Sequence, residues 1–215
     1  MSDVRPPSTD AVIERTVVLG TREVAFRAAP ELADELDALV RRLADQGVDA
    51  VEGGEVDLGW DRLRFDADGD RLLATTKDGG DTRRTVRRDD VTQLLWVLSA
   101  WRRVAALSGA EIVPTHWRDS LYMSVDVLAS AEVLECRRVD IGSPTQWFVG
   151  GSPFDPALVE RLAGDIARCV ELFKRRPEAV AVLGLPVGYV GVVDREHGVV
   201  EIRDAQGVVV HDGRP

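Results

Sequence analysis

"DRLRFDADGDRLLATTK", residues 61–77, decides the fold class. Leu63 and Phe65 alternate with polar residues ahead of Asp66-Ala67-Asp68-Gly69-Asp70, and Leu72 and Leu73 follow it. Alternation at a period of two marks a half-buried strand, and an acidic, Gly-containing turn between two such runs closes an antiparallel hairpin. "VGYVGVVDREHGVVEIRD" (187–204) reads as a second hairpin, turning at Glu196-His197-Gly198. "YMSVDVLASAEVLECRRV" (122–139) gives one strand, a short break and another.

Three segments carry helical periodicity instead. In 30–47, Leu32, Leu36, Leu39, Val40 and Leu43 fall on one face, and Gly47 stops the run. In 89–109, Val91, Leu94, Leu95, Leu98, Trp101, Val104 and Ala105 do the same, with Asp89 and Asp90 placed to cap and Gly109 to terminate. In "DPALVERLAGDIARCVELFKRR" (155–176), Asp155 is the expected N-cap and Pro156 suits the first helical position. Leu158, Val159, Leu162, Ile166, Val170 and Phe173 form the expected buried stripe, and Lys174, Arg175 and Arg176 complement the C-terminal dipole.

Antiparallel pairs with helices between them predict an α+β fold: a mostly antiparallel sheet with three main amphipathic helices packed on it. The order hairpin-then-helix occurs twice. Residues 1–11 read as a flexible leader, 12–112 as an N-terminal α+β region and 113–215 as a C-terminal α+β domain, with the boundary in "SGAEIVPTHWRDS" (108–120), where periodicity is lost. Two lobes sharing one sheet and two separate domains both fit.

The 215 residues carry a net charge of −10. Proteins that grip a duplex usually carry a basic surplus, so the balance argues against nucleic acid and permits a cationic partner. No apolar run reaches the length of a membrane helix. Cys136 and Cys169 form no CxxC pair, which fits two reduced thiols in a cytoplasmic protein.

Reactive chemistry is sparse. "TQWFVGGSPFDPALVERL" (145–162) runs from an aromatic strand through Gly-Gly into the third helix, an order that can hold phosphate. It lacks a lysine, loses two amides to Pro153 and Pro156, and sets Asp155 where the anion would lie, so it reads as a strand-to-helix connection. "DADGD" lacks the spacing of a calcium loop, since Gly69 is fourth and Lys77 stands twelfth. His116, His197 and His211 sit in unrelated loops without ligand spacing, and GxSxG, HExxH and GxxxxGK[ST] are absent. No cofactor is expected. Among the arginine pairs, "DTRRTVRRDD" (81–90) is the cluster dense enough to suggest an anion groove. Trp147 and Phe148 are neighbours on a strand, so their rings face opposite ways. One is expected in the core and the other exposed, as a partner-binding aromatic.

The order of signals resembles the immunity protein 33 type of domain from bacterial polymorphic-toxin systems. The matching residues are "MSVDVLASAEVLECRRV" (123–139), "QWFVGG" (146–151), the helix at 156–175 and "RPEAVAVLGLPVGY" (176–189), within residues 120–205. "EVDLGWDRLRFDADGDRLLAT" (55–75) resembles a leading region. Trp147, Gly150, Pro186 and Gly188 transfer by position. The resemblance implies a non-catalytic protein that binds and neutralises a cognate toxin. Trp147 and Phe148, with Asp140, Asp155, Glu160 and Asp165 as acidic neighbours, are the candidate contacts for a basic toxin. The alternative is a small-molecule-binding or hydrolytic α+β domain, with a pocket between the third helix and the sheet lined by Arg138, Tyr122, Tyr189 or His197.

Overall fold

The computed structural model describes residues 5–77, 87–123, 125–140, 147–153 and 166–213. The fold is α+β, and the chain divides into two compact units, Pro6–Ser99 and a second made of Met1–Arg5 with Ala100–Pro215. Each unit holds its own sheet. The division falls inside a helix.

The first unit orders its strands β1(Ile13–Leu19), β2(Arg22–Ala28), β5(Arg71–Lys77), β4(Arg62–Asp68), β3(Glu55–Asp57), and β6(Arg87–Arg88) also pairs with β5. The β4–β5 pair is the hairpin read from the sequence, with Asp68 opposite Arg71 and Gly69 at φ +66°. Only a residue without Cβ takes that turn angle cheaply. β2 and β5 run parallel; the other pairs in this sheet are antiparallel. The register places Val17, Val24, Leu72 and Ala74 on one face with Leu63 and Phe65. α1(Ala33–Asp45) buries Leu36, Leu39 and Leu43 and packs on β1 and β2. Each such leucine contributes roughly 1.5–3 kcal/mol of burial. Of the leader, Thr9 accepts a hydrogen bond from Arg88 Nη2 at 2.8 Å.

α2(Thr92–Ser108) starts as its sequence required. Asp90 Oδ1 accepts the Thr92 amide at 2.9 Å, and Val91 N donates to Arg27 O at 2.8 Å. The Thr92 hydroxyl accepts from Ala29 N at 3.0 Å. Gly109, at φ +66°, follows the helix C-terminus.

The second unit orders its strands β10(Ile166–Arg168), β7(Ser120–Met123), β9(Trp147–Gly151), β8(Val133–Arg138), β11(Val190–Asp194), β12(Gly198–Arg203), β13(Val209–Asp212). Among the described residues only β7 and β9 pair in parallel. α3(Val125–Ser130) fills the break between β7 and β8. The 3₁₀ segment Pro177–Gly184 packs on β8, β11 and β12, and Gly191 admits Val182 so closely that a Cβ there would lie 2.5 Å from Cγ1. Trp101 is buried and donates Nε1 to Val180 O at 3.0 Å.

The third predicted helix differs from expectation. Ile166–Arg168 is a strand paired with β7, and helix α4(Cys169–Arg175) begins only after it. Ile166, Val170 and Phe173 are spaced for a helix, but ladder hydrogen bonds to β7 hold the chain extended through Arg168. The turn Trp117–Asp119 then supplies the carbonyls that receive the first helix amides: Cys169 N donates to Asp119 O and Val170 N to Trp117 O. Val170 and Phe173 are buried as expected. Residues 155–165, with their Asp155 cap, lie outside the described residues. Among the described residues no helix is long and apolar enough to cross a membrane.

Candidate functional site

β9 lies in the interior of the second sheet, between β7 and β8. Alternation sends Trp147 and Phe148 to opposite faces, as expected. The expectation that one ring is exposed is corrected: Trp147 is 2% and Phe148 5% exposed. An interior strand has neighbours on both sides, and each ring is covered. Trp147 Nε1 donates to Thr115 Oγ1 at 3.1 Å, and Thr115 Oγ1 donates to Leu183 O at 2.7 Å. The Arg138 guanidinium lies 5.6 Å from the Trp147 ring and donates to Val113 O at 2.7 Å and Leu185 O at 2.9 Å. Burial lowers the Arg138 pKa, and the two carbonyls are the partners a buried guanidinium needs.

The other face carries the charge. In-register neighbours share a face, so Phe148 stands with Tyr122 on β7 and Arg137 on β8, then Val190 and Arg203 beyond. One row away stand Gly150, Glu135, Val192, Glu201 and Asp212. Tyr122 stacks on Phe148 with ring centroids 4.8 Å apart. Glu135 pairs with Arg137, Arg203 Nη1 lies 4.0 Å from Glu135, and Arg203 also pairs with Glu201. Both glutamates are buried; both arginines keep about a third of their side chains in solvent. The result is an alternating chain of charges beside an aromatic stack, with its cations and Tyr122 reachable from outside.

Of the other candidate contacts, Asp140 is exposed just after β8. Asp155, Glu160 and Asp165 lie outside the described residues. The structure does not bring together the residues named for the alternative pocket. Arg138 is committed to the Trp147 face, Tyr122 stands on the opposite face, and strands β9 and β8 separate β7 from β11. His197 sits in the turn after β11, where Asp194 Oδ1 accepts its amide and meets its Nδ1 at 2.8 Å.

No family model, curated protein or solved structure matches the chain.

Burial pushes the Cys136 thiol up to about 12 and the Cys169 thiol further still, so neither is a nucleophile near neutral pH. Among the described residues no group of His, Cys, Asp and Glu is placed to hold a metal. From the arginine cluster, Arg87 is spent on Thr75, the Arg62 carbonyl and Asp66, and Arg88 on Asp90 and Thr9; Arg83 and Arg84 lie outside the described residues.

Sequence reasoning passed over Glu135, Arg137, Glu201 and Arg203. The signal was there as two Glu-x-Arg triplets, Glu135-Cys136-Arg137 and Glu201-Ile202-Arg203. In a strand, residues two apart share a face. What the sequence did not supply is that β8 and β12 both flank β11, which sets one triplet across from the other.

Proposed function

We propose that this protein acts by binding another polypeptide and that it is an immunity-type module, neutralising a toxin by covering it. The supporting observation is the Tyr122–Phe148 stack bordered by Arg137, with Arg203 in the same row beyond Val190. Tyrosine and arginine are the side chains that dominate polypeptide interfaces, because each offers a large rigid contact with a polar end. The buried glutamates hold both guanidinium groups in place, so little ordering entropy is lost on contact. The net charge of −10 favours encounter with a cationic toxin. Phe148 supports Tyr122 from beneath in this reading, and Trp147 anchors β9 from the opposite face.

The experiment is co-expression of the chain with the product of each gene adjoining its own. Growth rescue by the wild type, with a co-purifying complex, supports the reading. Tyr122→Ala together with Arg203→Ala is expected to weaken that complex by about a hundredfold, as loss of interface hot spots does, while thermal unfolding reports that the fold survives. No rescue and no complex with any neighbour overturns it.

A further inference from the structure

Two cations at the β10 margin of the second sheet have no acid paired with them among the described residues. The Arg118 guanidinium lies 4.8 Å from the Trp117 ring centroid, and Arg168 Nη1 donates to the Arg118 carbonyl at 3.2 Å. Both arginines are exposed. Elsewhere the chain orients its cations with acids: Arg27 and Arg71 on Glu14, Arg64 and Arg87 on Asp66, Arg137 on Glu135 and Arg203 on Glu201. Here a ring face and a carbonyl do the orienting and leave the charge uncompensated. A guanidinium stacked on an aromatic ring keeps its N–H edge available to an anion. The turn beneath is stapled. Asp119 Oδ2 accepts the His116 amide at 2.8 Å, His116 Nδ1 accepts the Arg118 amide at 3.1 Å, and the Trp117 and Asp119 carbonyls receive the first amides of α4. Register ties the pair to the Tyr122 face. Arg168 is the Cα partner of Ser120, and Ser120 and Tyr122, two apart on β7, point to one face. A strand spacing of about 4.8 Å and a two-residue advance of about 6.6 Å put the Arg168 and Tyr122 Cα atoms on the order of 8 Å apart.

We infer that Arg118 and Arg168 receive a carboxylate of the bound polypeptide, an Asp or Glu seated beside the residue that meets Tyr122. The planar fork of arginine matches a carboxylate with two parallel hydrogen bonds. A net charge of −10 draws in a basic partner whatever its orientation. A cation pair within that acidic surface accepts the orientation that brings an acid to it and repels the partner's own cations. Contacts of this kind fix register and reject wrong partners more than they add affinity. The inference rests on the reading that the Tyr122 face binds a polypeptide, and it adds the charge that the partner carries at the β10 margin.

The probe is a capped four-residue peptide alternating Glu and Val, titrated at constant ionic strength into ¹⁵N-labelled protein, with the Gln–Val counterpart as control. The Glu–Val peptide is expected to shift the Arg118 and Arg168 Nε resonances and the amides of 118–122 in a saturable way, and the Gln–Val peptide to leave them in place. Arg118→Gln with Arg168→Gln is expected to weaken binding at least about tenfold. Arg22→Gln with Arg41→Gln removes the same charge from the first unit and is expected to leave binding unchanged. Equal shifts from both peptides, no shift from either, or equal loss in the two double variants overturn the proposal. Inorganic phosphate that shifts the same resonances at lower concentration than the Glu–Val peptide also overturns it, in favour of a phosphate-bearing ligand. Because the titration uses no toxin, Glu–Val binding without growth rescue removes the toxin reading alone, and rescue without Glu–Val binding removes the cation pair alone.

Discussion

Arg176 and Glu178 form a buried ion pair, with side chains 1% and 5% exposed. The guanidinium also donates to Ala131 O at 2.7 Å and Glu132 O at 3.1 Å, tying the start of the 3₁₀ segment to the turn between α3 and β8. Arg176→Met keeps most of the side-chain volume and removes the charge. It leaves the Glu178 carboxylate buried without its cation and two carbonyls without a donor. Breaking one side of a buried pair costs about 3–5 kcal/mol. The carbonyls overlap with that figure and are not added to it. Replacing both partners with apolar residues is often close to neutral, so Arg176→Met with Glu178→Leu should recover all but the carbonyl cost, about 1–2 kcal/mol. At an m-value of about 2 kcal/mol per molar urea, the single variant shifts the second unit's midpoint down by about 2 M and the double by under about 1 M.

Urea unfolding followed by circular dichroism reads the cost. A cost below about 1 kcal/mol for the single variant, or a double variant no more stable than the single, refutes the reasoning.

Three further outcomes can be checked. Gly191→Ala drives a Cβ into Val182 at 2.5 Å and should cost about 1–3 kcal/mol in urea unfolding, with Val182→Ala restoring part of it. A thiol reagent at pH 8 should leave Cys136 and Cys169 unmodified in the folded protein and label both in denaturant, because burial holds both thiols protonated. Hydrogen bonds from Arg71 and Arg27 lower the Glu14 pKa, so its contribution is present above the unfolded carboxylate pKa and fades as pH falls through the folded one. The stability gap between wild type and Glu14→Gln should accordingly narrow below about pH 4.

The 61–77 hairpin and the first two helices were legible because local signals and tertiary placement agree there. Asp90 caps α2 and the acidic turn closes β4 on β5, both within a few residues. The strand at 166–168 was not legible, since the carbonyls and ladder that override its helical spacing come from 117–122. For the site, the sequence established that Trp147 and Phe148 point to opposite faces. Their burial depends on β9 being an interior strand, and nothing within 147–151 states its rank in the sheet. Long-range order was likewise what hid the charged face, whose members on β8 and β12 stand 66 positions apart in sequence, Glu135 to Glu201 and Arg137 to Arg203.

The first sheet carries ion pairs across its outer face. On the first sheet's face opposite α1, Arg27 and Arg71 reach Glu14 and Asp68, Arg64 and Arg87 reach Asp66, and Arg62 reaches Glu55 and Asp57. Half-exposed pairs of this kind add little stability, about 0–1 kcal/mol each. What they do is fill a flat face with fixed opposite charges, which any strand or sheet stacking on it would have to desolvate. That is a device against unwanted association.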